Sequence, residues 1–129
     1  MRHTQKAIAI ISAENSNLAK LVNESRTDSL DEKMRRMKLS FSYCEGMYKG
    51  QSEFSFLVLT PDQKTIDKLI SLGREFNQES ILFSRPDYST YLYMIESGDI
   101  IELGNLHEVE NIDGLEAYTK IGSRFFTCD

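Results

Sequence analysis

Apolar and polar positions fall into blocks along the chain, and the blocks predict alternating strands and helices. Lys6 to Ser12 (KAIAIIS) is short and rich in Ile, the pattern of a buried strand. A polar stretch follows, after which Leu18, Leu21, Val22 and Ser25 recur at helical spacing, with Leu30, Met34 and Met37 beyond. This predicts a helix from Asn17 to about Met37, frayed or bent near Asp28-Ser29. Leu39, Phe41 and Tyr43 alternate with Ser40 and Ser42, as in a half-buried strand. Met47-Tyr48 then leads through a turn at Lys49-Gly50-Gln51-Ser52 to a returning strand, Phe54 to Leu59, so the two form a hairpin. Thr60-Pro61-Asp62-Gln63 reads as a helix start, with Thr60 as N-cap, Pro61 in the first helical position and Gln63 closing a capping box. Ile66, Leu69, Ile70, Gly73 and Phe76 continue as the apolar stripe of a helix ending near Asn77. Ser80 to Phe83, Tyr88 to Ile95, Ile100 to Leu103 and Arg124 to Cys128 read as strands, with turns at Arg85-Pro86-Asp87 and Ser97-Gly98-Asp99. The order is β-α-β-β-α-β with extra C-terminal strands. It predicts an α+β protein of ferredoxin-like split β-α-β topology, an antiparallel sheet with two helices on one face. No helix remains for the other face, whose Tyr- and Met-bearing strands suit a subunit interface. Oligomerisation through the sheet is therefore expected.

Composition narrows the partners. The 129 residues are 40% hydrophobic, enough for the core of one domain spanning residues 1–129. Fifteen Lys and Arg against 20 Asp and Glu leave a net charge of −5. The one basic cluster, Lys33, Arg35, Arg36 and Lys38, follows Asp28, Asp31 and Glu32 and reads as a solvated helix end. Neither nucleic acid nor an anionic membrane is expected as a partner. The apolar run Ala7 to Ala13 is too short for a secretion signal or a membrane span, so a cytoplasmic location is expected. Cys44 and Cys128 are far apart and read as reduced thiols, and His3 and His107 are isolated. No metal and no cofactor are expected.

No self-contained catalytic signature is present: no Walker loop, GxGxxG, GxSxG or HExxH. Two polar clusters stand out. The first, Ser12-Ala13-Glu14-Asn15-Ser16-Asn17 with Asn23 and Arg26, reads by itself as helix capping by Asn15, Ser16 or Asn17 and a polar helix face. The second is Tyr48 and Glu53, on opposite strands of the hairpin around Gly50. A phenol and a carboxylate there can orient a cation or pass a proton, although an exposed hairpin tip with a cross-strand pair has the same pattern.

These clusters also carry a resemblance. Ser12-Ala13-x-x-Ser16-Asn17-Leu18-x-x-x-Val22-Asn23-x-Ser25-Arg26 resembles the amino-terminal motif of the bacteriophage S-adenosylmethionine lyases, historically called hydrolases. The likeness continues through Met47-Tyr48, Glu53 with Ser55-Phe56-Leu57-Val58, Gln78 in Phe76 to Leu82, Gly104 to Val109, and Phe125. It implies a trimeric α+β enzyme with active sites between subunits. Its substrate would be S-adenosylmethionine and its products methylthioadenosine and homoserine lactone, or homoserine directly in a hydrolase variant in which Glu53 activates water. Its setting would be the cytoplasm of an infected cell, with anti-restriction and starvation of a host methyltransferase both open as its purpose. It also implies that Tyr48 and Glu53 lie at the sulfonium and methionine end of the substrate, although the loop between them is shorter here. Ser12, Asn23 and Arg26 would belong to the substrate-binding set, with Gln78 and Glu108 as candidates near the adenine. Two other classes stay open: a ligand-sequestering protein of the same fold, and an inhibitor of a host protein that uses the aromatic strands.

Overall fold

The computed structural model describes residues 6–129, so His3 and the start of the chain lie outside the described residues. Among the described residues the chain forms eight strands and two helices. They run β1 (Ile8–Ile11), α1 (Lys20–Arg36), β2 (Phe41–Tyr48), β3 (Gln51–Leu59), α2 (Gln63–Glu75), β4 (Ser80–Ser84), β5 (Ser89–Met94), β6 (Ile100–Val109), β7 (Ala117–Ile121) and β8 (Arg124–Cys128). All pairings are antiparallel, and they close a barrel in the order β1-β3-β2-β7-β8-β6-β5-β4, with β4 returning to β1.

This corrects the expected ferredoxin-like sheet. The C-terminal strands are not appendages to an open sheet: β7 pairs with β2, β8 bridges β7 and β6, and the sheet curls until no edge is left. The face expected to be bare for a partner is instead turned inward. Two features bend the sheet. The β5–β6 register shifts between Thr90 and Tyr91, and Gly104 adopts φ +93° inside β6. A Cβ at Gly104 would lie 2.4 Å from the Asp129 carbonyl oxygen, so only glycine lets the C-terminal residue cross there.

Residues opposite one another in the ladders share a face. Ala9, Ile11, Phe56, Val58, Ile81 and Phe83 form one apolar face, and against it α1 buries Leu30 and Met34 while α2 buries Leu69, Leu72 and Phe76. An eight-stranded barrel has room inside for side chains or one small ligand but not for a helix, so the helices lie on its outer surface. Each fully buried Leu, Val or Phe there contributes about 1.5–3 kcal/mol. The alternate face holds smaller and more polar buried groups: Cys44, Ser55, Ser84, Thr90 and Leu106.

Local signals place most of the remainder. Lys49 (φ +50°) and Gly50 (φ +80°) make a two-residue turn in which both positions are left-handed, as a tight hairpin requires. Helix α2 starts later than Thr60 allows: Asp62 is the N-cap, its carboxylate accepting from the Thr65 N–H at 2.9 Å. Thr60 is buried and its N–H donates to Ala7, which keeps that residue with β1. Helix α1 starts at Lys20, is continuous through Asp28-Ser29, and has no side-chain cap at Ala19. The apolar residues at and just before its start do not join the core: Leu18, Leu21 and Val22 are exposed, Leu21 by 77%. Neither helix is long and apolar enough to cross a membrane.

Candidate active site

Strand β1 pairs with β3 only as far as Ile11 opposite Phe56. Beyond that point side chains take over the ladder. The buried Ser12 hydroxyl lies 2.8 Å from the Phe54 carbonyl oxygen and accepts the Glu14 N–H at 3.0 Å. The Glu14 carboxylate accepts the Phe54 N–H at 2.7 Å. Both backbone groups of Phe54 are thus satisfied by the segment that follows β1.

That segment is itself clamped, one carbonyl at a time. Arg26 Nε donates to the Ala13 carbonyl at 2.7 Å, Gln78 Nε2 to the Glu14 carbonyl at 3.2 Å, and Asn23 Nδ2 to the Asn15 carbonyl at 3.0 Å. Asn23 completes a two-way grip by accepting the Asn15 N–H at 2.9 Å. Arg26 and Gln78 also donate to the Phe76 carbonyl at the end of α2, and the Arg26 guanidinium lies 5.8 Å from the Phe76 ring centroid. Four residues singled out in the sequence as substrate-binding, Ser12, Asn23, Arg26 and Gln78, therefore converge on one short segment. Asn23, Arg26 and Gln78 have their polar atoms on backbone, while the Ser12 hydroxyl meets both the Phe54 carbonyl and the Glu53 carboxylate. They fix where Ser12 and Glu14 meet β3.

Glu53 sits next to that meeting point. Its carboxyl is held above the ordinary glutamate value, first by burial, then by the neighbouring Glu14 charge, while a hydrogen bond from Ser12 pulls it down. The single Ser12 proton serves either Glu53 or the Phe54 carbonyl. Directly across the ladder from Glu53 stands Gly46, and Tyr48 pairs with Gln51 one step along the same face. Tyr48 and Glu53 are therefore diagonal neighbours on one face rather than a facing pair. Tyr48 is 59% exposed, and its ring already receives a cation, with Lys49 Nζ 5.2 Å from the centroid.

Glu108 is held elsewhere. It lies on β6, gripped by Arg124 through two hydrogen bonds of 2.9 and 2.7 Å, and β8, β7 and β2 stand between it and Glu53. It borders a separate hollow of about 650 Å³ with Tyr88 and His107. On the outer face of β2 and β3 a cleft of about 470 Å³ is lined by Glu14, Tyr43, Glu45, Phe54 and Lys120, within the usual range for small-molecule sites. Glu53 faces the other side of β3, so Glu14 is the carboxylate the two regions have in common. Cys44 and Cys128 are free thiols, and burial pushes the Cys44 pKa up to about 11. Among the described residues no group of three or more His, Cys, Asp or Glu is placed to hold a metal ion.

Sequence reasoning passed over Glu14 and Gly46 as site residues. Glu14 was visible only as one polar residue in a run of six, and nothing local signals that it reaches Phe54. Gly46 carried one hint, a glycine inside an alternating strand.

The fold and site together define a small antiparallel barrel in which two neighbouring carboxylates, Glu14 and Glu53, and the exposed Tyr48 ring lie towards one end of a hairpin. The chain belongs to the S-adenosylmethionine lyase family: the family's sequence profile matches residues 9–129, which takes in every element from β1 to β8. Membership makes it an enzyme of the S-adenosylmethionine lyase kind. A search among curated proteins gives no significant match.

Proposed function

We propose that the protein degrades S-adenosylmethionine to methylthioadenosine and homoserine lactone by internal displacement. The substrate carboxylate attacks its own γ-carbon. A C–O bond forms, the C–S bond breaks, and its electron pair leaves with sulfur as a neutral thioether. No proton needs to move and no co-reactant is consumed. The anionic carboxylate and the cationic sulfonium neutralise each other as the reaction proceeds. A recess poorer in water than bulk solvent therefore favours the step, and holding the methionine arm folded supplies most of the remaining advantage.

In this reading Glu53 binds the cationic end of the arm, best at the ammonium, whose charge persists through the reaction. A full negative charge on the sulfonium would stabilise the ground state more than the transition state. Glu14 lies behind it as a second negative charge, and Tyr48 offers an exposed ring and hydroxyl on the same face. The observation that carries the proposal is the clamped Ser12–Asn15 segment set against Glu53, in a chain whose family is defined by this substrate.

We further propose a homotrimer with sites between subunits. The exposed Leu18, Leu21 and Val22 adjoin the clamped segment and would be covered in such an assembly. A solution mass three times that of the chain is the expected result, and a monomeric mass would contradict it. The activity is tested by incubating the protein with S-adenosylmethionine and separating the products. Wild type should form methylthioadenosine, and Glu53→Gln should lower kcat/KM by about 100-fold or more. Unchanged turnover in that variant would show that another group does this work. Tight binding of S-adenosylmethionine without product would favour a sequestering role instead.

A further inference from the structure

Gly46 interrupts β2 without a backbone reason to be glycine. It is not among the residues with positive φ, unlike Gly50, Gly98, Gly104, Gly114 and Gly122. Nor is it demanded by packing: a Cβ built there would meet Ser55 Oγ at 3.7 Å and the Glu53 carbonyl oxygen at 3.9 Å, both ordinary contacts. Gly73 shows the contrast, since a Cβ there would come within 2.8 Å of Ile95 and 2.9 Å of Ile81. A strand-interior glycine costs conformational entropy and contributes no side-chain packing, so alanine would be the more stable choice at position 46.

The register shows what the missing side chain leaves open. Gly46 lies opposite Glu53 on one side and opposite Thr119 of β7 on the other, with Tyr48 two residues along on the same face. Its neighbours on β2 that share this face carry side chains, Cys44 and Tyr48, so the gap falls beside the Glu53 carboxylate. Resting on the proposed reaction, we infer that Gly46 is a specificity-determining position: the space above it receives the methionine arm of S-adenosylmethionine, between Glu53 and Tyr48. A side chain there would occupy the volume in which the arm must fold back for its carboxylate to reach the γ-carbon.

The test is a steady-state and thermal-unfolding comparison of wild type, Gly46→Ala and Gly46→Val, with Ser42→Val as a control on the same strand face away from Glu53. Both Gly46 variants should melt at or above the wild-type temperature, since alanine and valine suit a strand better than glycine. Their kcat/KM for S-adenosylmethionine should nevertheless fall, by about tenfold for alanine and about 100-fold for valine, while Ser42→Val stays at the wild-type value. A purely structural role for Gly46 would couple lost activity to lost stability and give neither pattern. A folded Gly46→Val variant with kcat/KM within about twofold of wild type overturns the inference alone. If valine lowers the melting temperature, the alanine variant decides by the same criterion. Wild-type protein that leaves S-adenosylmethionine intact overturns the proposed reaction and this inference together.

Discussion

At the scale of single residues, the proton on Glu53 is the most informative variable. Burial and the nearby Glu14 charge both favour the neutral acid, and only the Ser12 hydrogen bond opposes them. If ionised Glu53 holds the cationic arm, kcat/KM rises as pH climbs through this raised pKa. The acid limb of the profile then lies above the ordinary glutamate value of 4.5. Glu14→Gln keeps an acceptor for the Phe54 N–H but removes the charge, so the acid limb should move to lower pH. An acid limb that stays in place in Glu14→Gln would mean that Glu14 does not act on the titrating group. The sign for stability runs the other way. Above its raised pKa, Glu53 carries a charge that the fold disfavours, so its penalty is absent at low pH and grows as pH rises through the folded value. The resemblance in the sequence picked out Glu53 itself. Its setting was not legible there, because Ser12 and Glu14 come from far upstream and reach it only through the β1–β3 register.

At the scale of elements, three side chains from two places in the chain govern one segment. Asn23 and Arg26 project from α1 and Gln78 from the end of α2, so the positions of both helices are transmitted to residues 13–15. Arg26 is the strongest link, with a charged donor on two carbonyls from different elements. Arg26→Ala should cost about 2–3 kcal/mol in urea unfolding and should speed amide exchange at the Phe54 N–H, which Glu14 protects. Protection unchanged at Phe54 would show that the segment holds its place without the clamp. Residue spacing revealed that these polar residues cluster near the start of α1, and it suggested capping. Capping was the wrong mechanism for Asn15, Ser16 and Asn17, since the N-cap is Ala19 and the amide groups serve the loop. The start of α2 shows the same limit. Thr60 and Asp62 both suit an N-cap locally, and the tie from Thr60 to Ala7 decides between them.

At the scale of the whole molecule, strand types were legible but closure was not. Most strands show their alternation, and the tight hairpin turn is visible at Gly50. The barrel depends on pairings between distant segments, Glu45 with Lys120 and Leu106 with Cys128 among them, and no local pattern encodes those registers. Strand β7 (AYTKI) is short, mixed in character and lies in a glycine-bearing tail, so it escaped notice as the piece that joins β2 to β8. Closure anchors the far side of β2, the strand that carries Gly46 and Tyr48, by pairing it with β7. Gly46, Tyr48 and Glu53 thereby stand on paired strands rather than on a free hairpin tip.

The central claim is that the substrate's own carboxylate, not water, breaks the carbon–sulfur bond. Reaction in ¹⁸O-labelled water tests this most directly, with early products resolved by mass spectrometry. Internal displacement predicts unlabelled homoserine lactone first, followed by homoserine labelled in its carboxyl group as the lactone opens at its acyl carbon. Homoserine labelled at its γ-hydroxyl, with no lactone at early times, would contradict it.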